Sequence, residues 1–261
     1  MASDSKPSLA PLPASLYKYR SLDRATEILS TNRLYFSSPA DFNDPFDCKV
    51  GPLGLLDQDF LREMIRVRSL LGGGKPSPAE ERLAHGDADA YKEVSKQVQA
   101  RVDQHRVLCF SEPRENILLW SHYAESHRGI CLEFSTEKWS ALIHNALPVR
   151  YSHQRPSEDF THEAWDQMKF VSNIALIKDS CWRYEKERRF IREPGSGLVD
   201  FPPEALTGVI FGCEFPDQKY DAVMDLVTRR VPRPAIYKAV RHDRKFALVI
   251  EQIREPGGKP A

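Results

Sequence analysis

Apolar and polar positions change period several times along the chain, and each change marks an element. Residues 16–20 (LYKYR) alternate and read as a short strand, with Tyr17 and Tyr19 on one face and Lys18 and Arg20 on the other. Over 22–32 the period lengthens. Ala25, Ile28 and Leu29 share one face of a helix that Ser21 or Asp23 caps and Asn32 ends. A strand returns over 33–37, and helices are predicted over 57–71 and 87–105, linked by the flexible composition of GGGKPSPAE. RVLCFSE (106–112), GICLEF (129–134), PVRYS (148–152) and LTGVIFG (206–212) read as strands, and NILLWSHYAE (116–125), about 160–179 and 217–230 as helices. The end of CWRYEKERRFIRE (181–193) alternates as a strand does, and AIYKAV (235–240) with FALVIEQI (246–253) reads as a closing hairpin.

Roughly eight strands and five helices result, without a regular strand-helix alternation or a glycine-rich first turn, so a doubly wound dinucleotide fold is not expected. The expected class is α+β: a mixed or antiparallel central sheet, or two small sheets around a cleft, with helices packed around it. Residues 1–15 read as a flexible leader, 16–255 as one domain with a helical insertion at about 51–105, and 256–261 as a disordered tail.

Composition changes this picture little. Of 261 residues, 41% are apolar and 28% charged, as in ordinary globular proteins, and 37 Lys and Arg balance 37 Asp and Glu. No overall field draws the chain to nucleic acid or to an anionic membrane. No apolar run approaches a membrane span, and the N-terminus lacks the apolar stretch of a signal peptide. The five cysteines are odd in number and widely spaced, which points to neither a disulfide framework nor a zinc site and fits a reducing cytoplasm.

Candidate chemistry sits in four places. Arg20, beside Tyr17 and Tyr19, ends a strand where a guanidinium grips phosphate or carboxylate; its plain structural reading is a solvated edge strand. The stretch Tyr35 to Asp47 offers Ser37, Ser38, Asn43 and Asp44 around a rigid Asn-Asp-Pro turn, as either a pocket or a self-bonded strand end. Trp120-Ser121-His122-Tyr123 suits packing at Trp120 and hydrogen bonding or stacking at His122 and Tyr123. A Ser-His hydrolase is not expected there, because adjacent helical residues point about 100° apart and no GxSxG elbow occurs. Over 185–190, an extended chain places Glu185, Glu187 and Arg189 on one face and Lys186, Arg188 and Phe190 on the other. Two such carboxylates suit ribose hydroxyls and a cation-like sugar transition state, or else a salt-bridged edge strand. No metal-binding motif appears, although Asp44, Asp47, His122 and Glu187 meeting in space would make a metal-assisted hydrolase or nuclease. A non-catalytic nucleotide sensor or partner-binding protein is a further alternative.

Taken in order, LYKYR, LYFSSPADFNDPFDC, LCFSE, LLWSHYAESHRGICLEF and CWRYEKERRF resemble the bacterial domain-of-unknown-function family 2971 over about residues 16–215. That resemblance implies a stand-alone cytoplasmic protein with a part in phage defence. A looser likeness runs to the ADP-ribosyltransferase plan, although the Ser-Thr-Ser strand of that plan is absent. It implies NAD as substrate in a cleft, with Arg20 on the pyrophosphate and Tyr35 or Tyr123 on the nicotinamide. Tyr35 with Ser37, or Ser121 with Tyr123, would form the middle element, while Asn43 and Asp44 shape the floor. Tyr19 and His122 join the binding set, Glu187 is the catalytic acid and Glu185 its companion. The acceptor would be protein, nucleic acid or water, with no membrane partner and no metal. On this reading Glu187→Gln is expected to leave the fold nearly intact.

Overall fold

The computed structural model of the chain describes residues 11–49, 66, 70, 75–139, 143, 145–155, 171, 172 and 174–253. In chain order, β1 (Ser15–Arg20), α1 (Leu22–Thr31) and β2 (Arg33–Tyr35) precede a 3₁₀ turn at Pro39–Asp41. Then come α2 (Pro78–Ala84), α3 (Ala88–Gln104), β3 (Arg106–Ser111), α4 (Ile117–Tyr123), β4 (Ile130–Ser135), β5 (Leu147–Pro148), β6 (Arg150–Ser152) and β7 (Ile177–Asp179). A 3₁₀ stretch at Ser180–Glu185 leads into β8 (Glu187–Arg192), β9 (Leu198–Asp200), β10 (Leu206–Phe211), α5 (Asp217–Thr228), β11 (Ala235–Arg241) and β12 (Leu248–Gln252).

Eight of these strands form one sheet in the order β12-β11-β10-β4-β1-β3-β8-β5. Only β10 and β11 pair in parallel, so the sheet is mixed and mostly antiparallel, in an α+β fold. Strands β2 with β9, and β6 with β7, make two small outlying pairs. One sheet face carries the main apolar core, where Leu16, Leu108, Phe110, Leu132, Phe134, Phe190, Val209 and Phe211 meet Ala25, Ile28 and Leu29 of α1 and Val223 and Val227 of α5. The other face packs Tyr19, Cys131, Ile210 and Ala239 against Leu119, Trp120 and Ala124 of and beside α4. Alternation along each strand sorts the side chains between the two faces.

Helix α1 follows the expected pattern. Asn32 adopts a left-handed C-cap with φ 56° and donates its N–H to Ile28 O. The Arg230 guanidinium also donates to the Leu29 carbonyl and the Asn32 side chain, at 2.5 and 2.6 Å, tying α5 to the end of α1.

Four expectations change. Residues 11–15 are not a loose leader: Thr136 donates to Pro13 O and Ala14 O, and Arg188 donates to Pro11 O, so that β1 enters the sheet already anchored. The end of GGGKPSPAE is not a loop but the start of α2. Ser77 and Glu80 form a reciprocal capping box with Pro78 in the first turn, a pattern legible as S-P-A-E. The helix predicted to 179 gives way earlier, because residues 177–179 pair in parallel with β6. Glu185 is not on the late strand. It closes a 3₁₀ turn, and Lys186, left-handed at φ 42°, turns the chain into β8. Most of the helix predicted over 57–71, most of 160–176 and the tail 256–261 lie outside the described residues.

Candidate functional site

Distant segments meet where β1 and β3 part. Strand β1 keeps a full ladder with β4, from Ser15↔Ser135 to Arg20↔Ile130, but meets β3 at the single pair Tyr17↔Ser111. Further along β3, Val107 pairs instead with Ser37 through reciprocal backbone bonds of 2.9 Å. Between these two pairings the Lys18 ammonium donates to the Cys109 carbonyl, so a side chain stands where a ladder bond would run.

This fork opens into a cavity of about 280 Å³. Tyr19, Arg20, Tyr35, Ser37 and Asn43 line it from the first segment, and Tyr123, Glu185 and Glu187 from the later ones. Tyr35 and Asn43 are exposed at its mouth. Gly197 lies flat against the Tyr35 ring, where any Cβ would collide with it. Tyr19 is a packing residue, since its hydroxyl donates to Pro113 O at 2.8 Å and its ring stands edge-on to Trp120.

Three expected residues do not line the cavity. Asp44 is buried and accepts from Phe46 N at 2.9 Å, which makes it the brace of the Asn-Asp-Pro turn. Ser121 Oγ lies 3.0 Å from His127 Nε2. His122 is exposed, with Nδ1 3.0 Å from the Tyr184 hydroxyl and its ring among Trp182 and Tyr184. One helical turn spreads Ser121, His122 and Tyr123 around the axis, and only Tyr123 faces the cavity.

The wall opposite β1 is a buried ionic network. Lys178 Nζ lies 2.6 Å from Glu185 Oε2 and 3.4 Å from both Glu187 Oε2 and Asp47 Oδ2. Arg189 grips Asp47 with two parallel bonds of 2.7 and 2.6 Å and also donates to Glu187 Oε2 at 2.8 Å. Tyr123 donates to Glu185 Oε1 at 2.8 Å. Neither cation occupies Glu187 Oε1; the Cys109 thiol is a further donor to this carboxylate. Lys178 and Arg189 were not among the expected binding or catalytic residues, and Asp47 was expected only as a ligand in the metal-assisted alternative. Asp47 had a signal in the NDPFDC turn, and Arg189 in the alternation of 185–190. Lys178 had none, because its place depends on the parallel pairing of β6 and β7.

The two glutamates respond in opposite ways. Burial, helped by the Glu187 charge, raises the Glu185 carboxyl above its ordinary range against the pull of Lys178. Burial also opposes ionisation of Glu187, yet Arg189 and Lys178 together hold that carboxyl well below the ordinary range. Carboxylates whose environments push them apart are what acid–base division of labour requires. On β1, burial and then repulsion from Arg20 lower the Lys18 ammonium to about 7, and burial lowers Arg20 to about 10.

The metal alternative does not assemble. Among the described residues no group of three or more His, Cys, Asp or Glu is arranged to hold an ion. Asp47 and Glu187 do converge, but Lys178 fills the space between them, while Asp44 and His122 serve elsewhere.

Fold and site therefore define an α+β protein with a polar pocket set in a forked sheet. Residues 119–190 match the model of a family described as a protein of unknown function, DUF2971. The matched stretch carries Tyr123, Lys178, Glu185, Glu187 and Arg189, two of the three acids of the wall and both of its cations, whereas Asp47 and β1 lie outside it. No curated protein and no solved structure matches the chain. Among the described residues no helix is long and apolar enough to cross a membrane.

Proposed function

We propose that this protein is a glycosyl-transfer enzyme acting on NAD, by ADP-ribosyl transfer or NAD glycohydrolysis. One observation carries the reading: a buried Glu187, held by both cations on Oε2 alone, lines the same pocket as the cations of β1. In the proposed reaction Glu187 Oε1 accepts from a hydroxyl of the nicotinamide ribose. Its fixed negative charge stabilises the oxocarbenium-like state as the glycosidic bond breaks and nicotinamide leaves. Glu185, with its raised affinity for a proton, takes the proton of the attacking acceptor, whether protein, nucleic acid or water. Tyr35 and Tyr123 provide the aromatic surface near the nicotinamide, and Arg20 meets the pyrophosphate. At about 280 Å³ the cavity lies just below the range of ~300–1,000 Å³ that encloses whole ligands, so it takes one end of the dinucleotide.

The test is nicotinamide release from NAD by the purified protein, with and without cell lysate as acceptor. Glu187→Gln is expected to lower the rate on the order of 10²–10³-fold, as when one oriented electrostatic group is removed. Equal release from wild type and this variant rejects the assignment. The full pairing of the acidic wall also favours a second reading, a nucleotide-binding protein without turnover. NAD raising the melting temperature with no nicotinamide released decides for that one. A setting in phage defence accompanies the first reading through the family likeness, and its measurement is loss of protection in cells carrying Glu187→Gln.

A further inference from the structure

The carboxylates of the acidic wall are all engaged: Asp47, Glu185 and Glu187 pair with Lys178 or Arg189. Across the cavity, Lys18 and Arg20 have no such partner among the described residues. Lys18 is only 5% exposed, and Arg20 donates to nothing beyond its own neighbour's carbonyl, Tyr19 O, at 3.1 Å. An unpaired cation is costly to bury, and two side by side on one strand repel each other as well. Lys18 rests on the Cys109 carbonyl and over the Phe110 ring, 5.4 Å from its centroid, and a ligand anion would supply the full counter-charge that neither provides. Lys18 and Arg20 stand on the same side of β1, two residues or roughly 7 Å apart at the backbone. Both line the cavity where the sheet forks, beside Ser37.

We propose that the fork between β1 and β3 is a phosphate subsite, in which Lys18 exchanges its bond to the Cys109 carbonyl for a ligand phosphate oxygen and Arg20 takes a second oxygen. This deepens the glycosyl reading and rests on it for the rest of the ligand, but the subsite has its own geometry and its own test. The charged and titratable groups facing Lys18 are Arg20 on its own strand, Cys109 on β3, and Glu187 and Arg189 on β8. Glu187 is already shared between Arg189 and Lys178, so the incoming phosphate is the first full counter-charge that Lys18 meets.

Sulfate is the probe, because its charge does not change across the working pH range; its affinity is followed by calorimetry on the full chain. Wild type is expected to bind sulfate more tightly as pH falls from 9 towards 7, by up to about tenfold per unit, since binding draws a proton onto Lys18. Lys18→Met loses about tenfold or more at pH 7 and becomes insensitive to pH. Lys18→Arg keeps the binding and loses the pH dependence, which separates charge from folding. Arg20→Met binds more weakly and keeps the pH dependence. ADP displacing sulfate at lower concentration than inorganic phosphate assigns the subsite to a nucleotide, and the reverse order to free phosphate; both support it. Equal affinity in wild type and Lys18→Met, or no sulfate binding by wild type, overturns it. Sulfate bound as described with no nicotinamide release leaves the subsite standing and removes the glycosyl reading. NAD cleaved equally by wild type and Lys18→Met, with no sulfate bound, does the opposite.

Discussion

One wall of the pocket sets three carboxylates, Asp47, Glu185 and Glu187, against Lys178 and Arg189 at 2.6–3.4 Å. The other, on β1, sets Lys18 and Arg20 side by side with no acid between them. Lys18 is as buried as the acidic wall and Arg20 is half-buried, so burial alone does not set the two walls apart. Pairing does: every carboxylate of the first wall meets a cation without a ligand, with Arg189 Nε its one buried donor left over among the described residues, whereas the cations of the second wall meet no carboxylate. A buried network of paired charges holds the chain in place, and removing a member strands its partners. An unsatisfied pair of cations costs stability now and recovers it only on binding an anion.

The largest effect is expected from breaking the paired wall. Arg189→Met leaves Asp47 and Glu187 short of a partner in the interior and should cost about 3–5 kcal/mol in urea unfolding. Glu187→Gln removes less, because Arg189 keeps both bonds to Asp47 and Lys178 keeps Glu185. A loss of about 1–3 kcal/mol is expected, so this variant needs a melting curve beside its activity assay and does not leave the fold untouched. The wild-type network also has an acid limit. The Glu187 carboxyl is depressed in the folded chain, so its contribution is present above the ordinary carboxylate pKa of 4.5 and is lost as pH falls below it.

The unpaired wall has the reverse sign. The folded Lys18 ammonium, at about 7, lies below its ordinary 10.5, so the unfolded chain holds more protons between these values and stability rises with pH there. Urea unfolding of the ligand-free protein should show up to ~1.4 kcal/mol gained per pH unit from this group in that window. Lys18→Met should lose that slope and be no less stable than wild type at pH 7. A Lys18→Met variant destabilised as heavily as Arg189→Met would erase the distinction between the walls. The smallest effects are expected outside both: Ser121→Ala and His122→Ala should stay within about 0.5 kcal/mol and leave sulfate binding unchanged.

The sequence pattern made the apolar framework legible. The alternation in LYKYR, the face of α1 and the closing pair of β11 and β12 all follow from local periods, and the structure keeps them. It also pointed to convergence, since Arg20, Tyr35, Ser37, Asn43, Tyr123, Glu185 and Glu187 reach one cavity. What periods do not carry is how strands are joined. The fork depends on β3 leaving β1 after one pair and turning to Ser37, a decision of register across 70 residues between Ser37 and Val107. Lys178 reaches the acidic wall only through β6 and β7, and Glu185 joins it through a 3₁₀ turn instead of the predicted strand. The pair Ser121 and His122 misled because adjacency in sequence on a helix separates side chains in space.

Gly197 gives the pocket a control that involves no charge at all. Strand β9 runs beside β2, and the bare glycine just before it lets the Tyr35 ring lie where it borders the opening. A methyl group at that position would push the ring aside. The place of a ring that borders the entrance thus depends on an atom missing from the residue that precedes β9. Gly197→Ala is expected to move the Tyr35 ring and to press on the Phe36 carbonyl beside it, reshaping the rim of the pocket without changing a charge.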